Sequence, residues 1–575
     1  MRKKIVRRQP LAAHDTTLVH LSPLLRRIYA ARAIQSETDL DRSLQALLPY
    51  QTLLGMDHAV ALLANAVMHQ QTILIVGDFD ADGATSTAVA MRALKSFGAK
   101  SVFYLVPHRL NDGYGLTPEL VERAKTFAPH LIVTVDNGIA HHAGVLAAQA
   151  LGIKVIITDH HLAGESLPPA DAIVNPNQPN DPFASKCLAG VGVIFYVMLA
   201  LCRQLQDHHW FEKCNQAPPK MSSLLDLVAL GTVADLVPLD HNNRILVYQG
   251  LGRIRKGQCV PGIVALLECA DRSFTRAQAA DLGFAVAARL NAAGRLEDIS
   301  IGIECLLCDD PVRARALAQQ LNQLNNDRRV IEKEMHLQAL AIMEHYPVAT
   351  NKPLPKGLVL FDEAWHLGVV GILASRMKDH FHRPVIAFAP TPQGELRGSA
   401  RSISSLHIRD ALAVVHAMHP EWQMKFGGHA MAAGVTIKRE QLPAFTIAFN
   451  EAVSQQIDEV ALEPILLSDG ALTAEELTLS VAEALREAGP WGQAFPEPLF
   501  DDVFQVIEQR LVGDKHLKLK LSKNNQMIDA IAFFVDTNCW PNHRLENIYA
   551  AFRLDVNEYQ ERRSVQLIID YLEPA

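Results

Sequence analysis

No apolar run in this chain of 575 residues approaches the ~20 residues a helix needs to cross a bilayer, so no membrane span is expected. Cysteine is scarce: eight residues scattered over the whole length do not form a disulfide framework, and a reducing cytoplasm follows. The closest pair, Cys305-Leu306-Leu307-Cys308, has a metal-like spacing, but no second pair accompanies it and leucines lie between; it reads as a buried helix segment. An excess of basic charge is also missing. Lys and Arg number 54 against 62 Asp and Glu, a net charge of −8, which argues against a surface coated in nucleic acid without excluding a basic groove. The start, Met1 to Pro10, is basic but has no apolar stretch behind it, so it is not a secretory signal and reads as a short arm. What remains, 49% hydrophobic and 20% charged residues, describes a globular protein, and a length prior predicts about four domains.

From about Gln71 to Pro176 short apolar runs alternate with helical stretches. Strands are predicted over 72–77, 101–106, 131–136, 154–158 and 171–174, with helices over 84–97, 117–127 and 142–151. This rhythm predicts a parallel sheet with helices on both faces. Ligands of such sheets bind beyond the carboxyl ends of the strands. Gly190 to about Ala270 reads as mostly helical, and Pro311 to Tyr346, free of glycine and rich in Ala, Leu, Gln, Arg and Glu, reads as one long helix. A second α/β unit runs from Gly357 to about Arg439. Beyond Pro498, five apolar segments predict a small barrel of the OB type, with a sandwich as the alternative.

Acids and histidines fall where the strands end. Ile73 to Gly77 leads into Asp78-Phe79-Asp80-Ala81-Asp82-Gly83; Leu131 to Val135 into Asp136-Asn137-Gly138; Val155 to Thr158 into Asp159-His160-His161; and the apolar segment from Leu224 reaches Asp235. Gathered carboxylates resist ionisation unless a cation neutralises them. Asp136 alone would be a turn residue; beside the first cluster it becomes a bridging ligand. His160 and His161 are adjacent, so in an extended segment their rings point opposite ways, one to the metal and one to substrate. Oxygen and imidazole ligands without thiolate suit Mn²⁺ or Mg²⁺. Two such ions about 3.5–4 Å apart favour phosphoester hydrolysis.

These motifs, in this order, resemble those of the DHH phosphoesterases, and Gly427-Gly428-His429-Ala430 resembles the signature of the accompanying DHHA1 domain. Asn291-Ala292-Ala293-Gly294-Arg295, Trp365-His366-x-Gly368-Val369-Val370-Gly371 and Arg397-Gly398-Ser399-x-Arg401-Ser402, with the β-rich C-terminal unit, are similar to the bacterial branch that digests single-stranded DNA from 5′ to 3′. The resemblance implies an α/β fold: an N-terminal arm (1–50), a parallel-sheet DHH catalytic domain (51–310), a connecting helix (311–346), a smaller α/β DHHA1 domain (347–455) and an OB-fold-like barrel (456–575). It implies metal ligation by Asp78, Asp80, Asp82, Asp136, His160 and Asp235, with Asp159 either ligating or orienting. His161 would contact the scissile phosphate or the leaving group. Substrate phosphate would meet Arg109, Arg289, Arg295, Ser399 and Arg401, with Gly427, Gly428 and His429 close to the nucleotide. The implied partners are single-stranded DNA, a single-strand-binding protein and a helicase, with the chain itself a monomer.

Two rivals stay open: a phosphodiesterase of short RNA fragments or cyclic dinucleotides, and a non-catalytic DNA-binding scaffold. Chain length and the extra C-terminal unit count against the first, the full set of acids against the second.

Overall fold

The computed structural model describes residues 3–9, 18–109, 113–350, 354–513, 515–559 and 562–575, with backbone alone for 345–350 and 559. It opens on a short strand, β1 (Lys4–Arg7), whose partner comes much later in the chain. The first sheet then forms from β2 (Ile73–Val76), β3 (Val102–Leu105), β4 (Leu131–Val135), β5 (Lys154–Thr158) and β6 (Ala172–Val174), close to the predicted segments. All its pairings are parallel and its order is β3-β2-β4-β5-β6. Side chains of a strand alternate between faces. Ile73, Ile75, Leu131 and Val133 therefore enter one core, while Leu74, Val76 and Ile132 enter a second on the other side. Both faces are covered, which is why the strands are apolar at every position.

From β2 the chain moves outward to β3, then returns to place β4 on the opposite side of β2. That reversal opens a crevice at the carboxyl ends of β2 and β4. Asp78 and Asp136 follow those two strands. Helices follow between Gly190 and Leu307, two of which bring Gly190 and Asp235 to this edge, and the predicted long helix runs over Pro311–Thr350. The Cys305–Cys308 segment ends the helix Ser300–Leu307, and the described cysteines are all free.

The second sheet contains β7 (Leu358–Phe361), β8 (Val385–Pro390), β9 (Glu395–Arg401), β10 (Lys425–Gly428) and β11 (Ala432–Lys438), ordered β10-β11-β9-β8-β7. Only β7 and β8 pair in parallel. Next, β12 (Ile465–Ser468) pairs in parallel with β1. The C-terminal strands β13 (Phe500–Val512), β14 (His516–Lys523), β15 (Gln526–Ala532), β16 (Asn547–Tyr559) and β17 (Arg562–Pro574) form a closed barrel. The sandwich alternative is thereby overturned. Closure pairs β15 with β17 and β13 with β16, so the barrel strands present no open edge.

The described N-terminal residues, 3–9 and those from 18 onward, do not form a free arm. Besides β1, the helix Pro23–Ala30 puts Leu24 and Ile28 into the barrel's core. Arg7 holds Asp501 through Nε and Nη2, and Arg32 makes a buried two-pronged pair with Asp469. A four-residue strand with a cation at each end carries no apolar period, and its partner is remote in sequence. Nothing local announces it.

Candidate active site

Each acid takes its position from the element it ends. β2 stops at Val76, and the chain turns through Asp78 into the helix Ala81–Ser96. Asp80 caps that helix: its Oδ1 accepts the amides of Asp82 and Gly83, both at 3.0 Å. A Cβ on Gly83 would stand 2.7 Å from the backbone of Asp78, so only glycine lets the loop fold back this tightly. The three alternating acids thus wrap a strand-to-helix turn instead of sharing an extended face. Asp82 is 1% exposed, and its two oxygens accept the amides of Gly190 (2.7 Å) and Val191 (3.0 Å) at the start of the helix Gly190–Asp207.

Asp136 follows β4 with φ +62°, a left-handed conformation that glycine, asparagine and aspartate adopt more readily than other residues. Its carboxylate is buried, and Oδ1 has no hydrogen-bond partner among the described residues. His160 Nε2 is likewise buried and without a hydrogen bond among them, 3.1 Å from Asp136 Oδ1 and 3.4 Å from Asp235 Oδ2. Asp235 caps the apolar helix Leu225–Ala234. The ligand atoms fall into three overlapping groups: Asp78, Asp80 and Asp136; Asp82, His160 and Asp235; and Asp136, His160 and His161. Asp136 and His160 each belong to two of them.

Electrostatics agrees with a cation site. Burial, and then the charge of Asp80, raise Asp78 well above the usual carboxylate range and Asp82 to about 7. Burial followed by Asp82 does the same to Asp136 and Asp235. Burial and the neighbouring His161 push His160 down to about 3, leaving it the neutral imidazole that a metal requires. Four carboxyls that resist ionisation, plus two unpaired buried polar atoms, fit a set of divalent cations.

Asp159 behaves differently. Its Oδ1 accepts the amides of His160 (2.7 Å) and His161 (3.1 Å) and the ring Nδ1–H of His161 (2.7 Å); its Oδ2 accepts the Ile139 amide at 2.9 Å. Burial opposes its charge, but these bonds win and hold it well below the usual range. It belongs to none of the three ligand groups. The same contacts turn the chain after β5. The rings of His160 and His161 consequently lie 4.5 Å apart, not on opposite sides as an extended segment would place them.

Beside the acids lies a pocket of about 1020 Å³ walled by both α/β units. Arg109 reaches it from the first unit, stacked over Phe79 at 4.0 Å with Nε donating to the Gly294 carbonyl. Arg295 enters at the end of the helix Ala288–Leu296. Ser399 and Arg401 alternate on one face of β9, and Arg401 Nη1 donates to Ser399 Oγ at 3.0 Å. Gly427, Gly428 and His429 form the far wall, and the His429 ring stacks near His161 at 6.1 Å. Burial and the nearby guanidiniums of Arg109, Arg401 and Arg328 lower Arg295 to about 9, still cationic at neutral pH. An anion in the pocket would relieve that repulsion.

Arg289 is not brought to this pocket. It is buried, with Nε on Asn322 Oδ1, Nη1 on the Ala285 carbonyl and Nη2 on the Cys269 carbonyl. It and Arg295 stand on one helix at a spacing that is not a whole number of turns, so the two point in different directions. The bonds of Arg289 tie its helix to the long helix and to the end of the helix Pro261–Glu268. Residues not singled out from sequence also line the pocket: Phe79, Tyr114, His141, Arg397 and Arg409. Arg397 shares the two-residue period of Ser399 and Arg401, a signal within its own motif. Tyr114, whose hydroxyl donates to the Asp136 carbonyl at 3.3 Å, had only its place in a glycine-rich segment to mark it.

Residues 72–232 match the DHH family, N-terminal domain; 354–455 match the DHHA1 domain; and 468–571 match the RecJ OB domain. Fold and site together define a metal-dependent phosphoesterase of the DHH/DHHA1 class, extended by an OB barrel. The chain is 52% identical to the single-stranded-DNA-specific exonuclease RecJ of Salmonella typhimurium, over 96% of either chain, and 53% identical to that of Dickeya dadantii, over 99% of either. The crystal structure of RecJ from Thermus thermophilus in complex with Mn²⁺ matches with a TM-score of 0.80 at 30% identity, covering 100% of this chain and 79% of that one. The chain belongs to the RecJ family of single-stranded-DNA-specific exonucleases. Among the described residues, no helix is long and apolar enough to cross a membrane.

Proposed function

We propose that this protein hydrolyses single-stranded DNA from its 5′ end, releasing mononucleotides during DNA repair and recombination. Two Mn²⁺ or Mg²⁺ ions would be held by Asp78, Asp80, Asp82, Asp136, His160 and Asp235. The observation that carries the reading is the meeting of these six side chains around two unpaired buried atoms, Asp136 Oδ1 and His160 Nε2, at the mouth of an arginine-lined pocket. When bound, the cations supply Lewis acidity to water and to the phosphate and leaving oxygens.

The chain's own residues do the rest. Asp159 orients His161: with Nδ1 committed to that carboxylate, Nε2 is the nitrogen left for the scissile phosphate. Arg109, Arg295, Ser399 and Arg401 receive the terminal 5′ phosphate through planar, charge-assisted donors. Gly427 has open space where a side chain would be, so a nucleotide can lie against the backbone there, with His429 beside it. The rest of the strand follows a second cleft of about 460 Å³ that starts at Thr232–Ala234, next to Asp235. Its wall presents Leu236 (68% exposed) and Phe284 (80% exposed), and Trp491 on the same wall packs against the barrel's core; on the barrel itself Lys515, His516, Lys518 and Lys520 would add charge for the backbone. Apolar and aromatic side chains that stack single bases, with cations for the backbone, suit an unpaired strand. The family resemblance adds a single-strand-binding protein and a helicase as associates; the scattered free cysteines suit a reducing cytoplasm, and the chain is read as a monomer.

The test is digestion of single-stranded DNA labelled at either end, with and without Mn²⁺. Labelled mononucleotide is expected at once from the 5′ label only, and only with metal. Binding without release would favour a scaffold, and preferential hydrolysis of dinucleotides would favour the small-substrate reading. Phe284→Ala is expected to weaken binding of long strands by about 1–3 kcal/mol and to leave turnover of very short oligonucleotides near wild type. Equal affinity for long strands would remove Phe284 from the path.

A further inference from the structure

The Asn291-Ala292-Ala293-Gly294-Arg295 segment does more than deliver one arginine. Positions 291, 294 and 295 are spaced i, i+3, i+4 on the helix Ala288–Leu296, so they share a face. That face lies on the loop that carries the first three acids. A Cβ on Gly294 would stand 1.9 Å from the Phe79 carbonyl, so the helix and the loop touch backbone to backbone. Gly294's own carbonyl accepts Nε of Arg109 at 3.0 Å. Arg295 Nη1 donates to the Gly368 carbonyl of the second unit at 3.1 Å. Asn291 Oδ1 accepts the amide of Ala81, between Asp80 and Asp82, at 2.8 Å.

The last bond completes the capping of a helix. The first amides of any α-helix lack intrahelical partners. In the helix Ala81–Ser96, Asp80 Oδ1 takes the second and third, those of Asp82 and Gly83. The first, on buried Ala81, goes to Asn291. Without that acceptor the freed amide would compete for the Asp80 carboxylate that already caps its two neighbours, and Asp80 would be drawn off the cluster with Asp78 and Asp136.

We infer that Asn291 is a positioning residue for cation capture: it locks the loop of Asp78, Asp80 and Asp82 onto the same rigid helix that holds Arg109 and Arg295, so metal binding and end recognition share one frame. This rests on the reading of those acids as cation ligands. Groups that hold ligands from behind change metal affinity by roughly 10–100-fold when removed. The test is titration of the full-length protein with Mn²⁺ alone, followed by the paramagnetic resonance of free Mn²⁺, together with melting of the metal-free protein. Asn291→Leu keeps the size and Asn291→Ala removes bulk; both lose the acceptor. Asn291→Asp keeps it. Leu and Ala variants are expected to bind Mn²⁺ about 10–100-fold more weakly with metal-free melting lowered only as far as the loss of one helix cap requires, and Asp is expected to restore binding. Mn²⁺ affinity equal to wild type in the Ala variant overturns the inference, as does a gain in Asp with no loss in Ala, which would mark a pure charge effect. A wild-type protein that binds no Mn²⁺ would instead defeat the cation reading itself.

Discussion

Asp136→Ala should abolish nucleotide release while the protein still folds and still binds single-stranded DNA. Asp136 belongs to two of the three ligand groups, and its buried Oδ1 has no other described partner. Losing a cation that steadies the transition state removes several kcal/mol of stabilisation, on the order of a thousandfold or more in rate. The left-handed backbone here complicates alanine, which tolerates φ +62° poorly. Asp136→Asn is the cleaner companion, because asparagine accepts that conformation and loses only the charge. Both variants should keep their circular dichroism and much of their affinity for a long strand. Turnover within about tenfold of wild type in the Asn variant, a difference of only ~1.4 kcal/mol, would exclude Asp136 as a shared ligand.

Arg401→Ala should erase the preference for a phosphorylated 5′ end. Arg401 sits with Ser399 on β9, and burial together with the charge of Arg109 lowers its pKa, a penalty that a bound phosphate would relieve. A hydrogen bond to a charged group contributes about 1.5–3 kcal/mol, roughly ten- to a hundredfold in KM. The effect should fall on 5′-phosphorylated strands and spare 5′-hydroxyl strands, with kcat little changed. Identical kinetics on the two kinds of end, before and after the substitution, would take Arg401 out of end recognition. Arg289→Ala, by contrast, should act through stability, because its donors are engaged by helix carbonyls and Asn322.

The legible parts of this protein are those where chemistry and periodicity are local. The strands β2, β4 and β5 are continuous apolar runs, and the acids stand immediately beyond them, so both the sheet and its functional edge could be read from spacing. The long helix and the barrel strands were visible for the same reason. The rotation of the two histidines was not, because it depends on Asp159 accepting both following amides. Nor was the separation of Arg289 from Arg295: both read as phosphate ligands, and the helix turns only Arg295 to the pocket.

The order of residues alone determined which side chains stand at strand ends, and hence the kind of chemistry available: carboxylates and imidazoles that a cation can hold together. Tertiary structure decided which of them meet. The meeting of Asp136, His160 and Asp235, the helix cap completed by Asn291, and the clamp of β1 on β12 all join residues far apart in the chain. Partnering of buried polar groups is a property of the packed interior, and no window of sequence contains it.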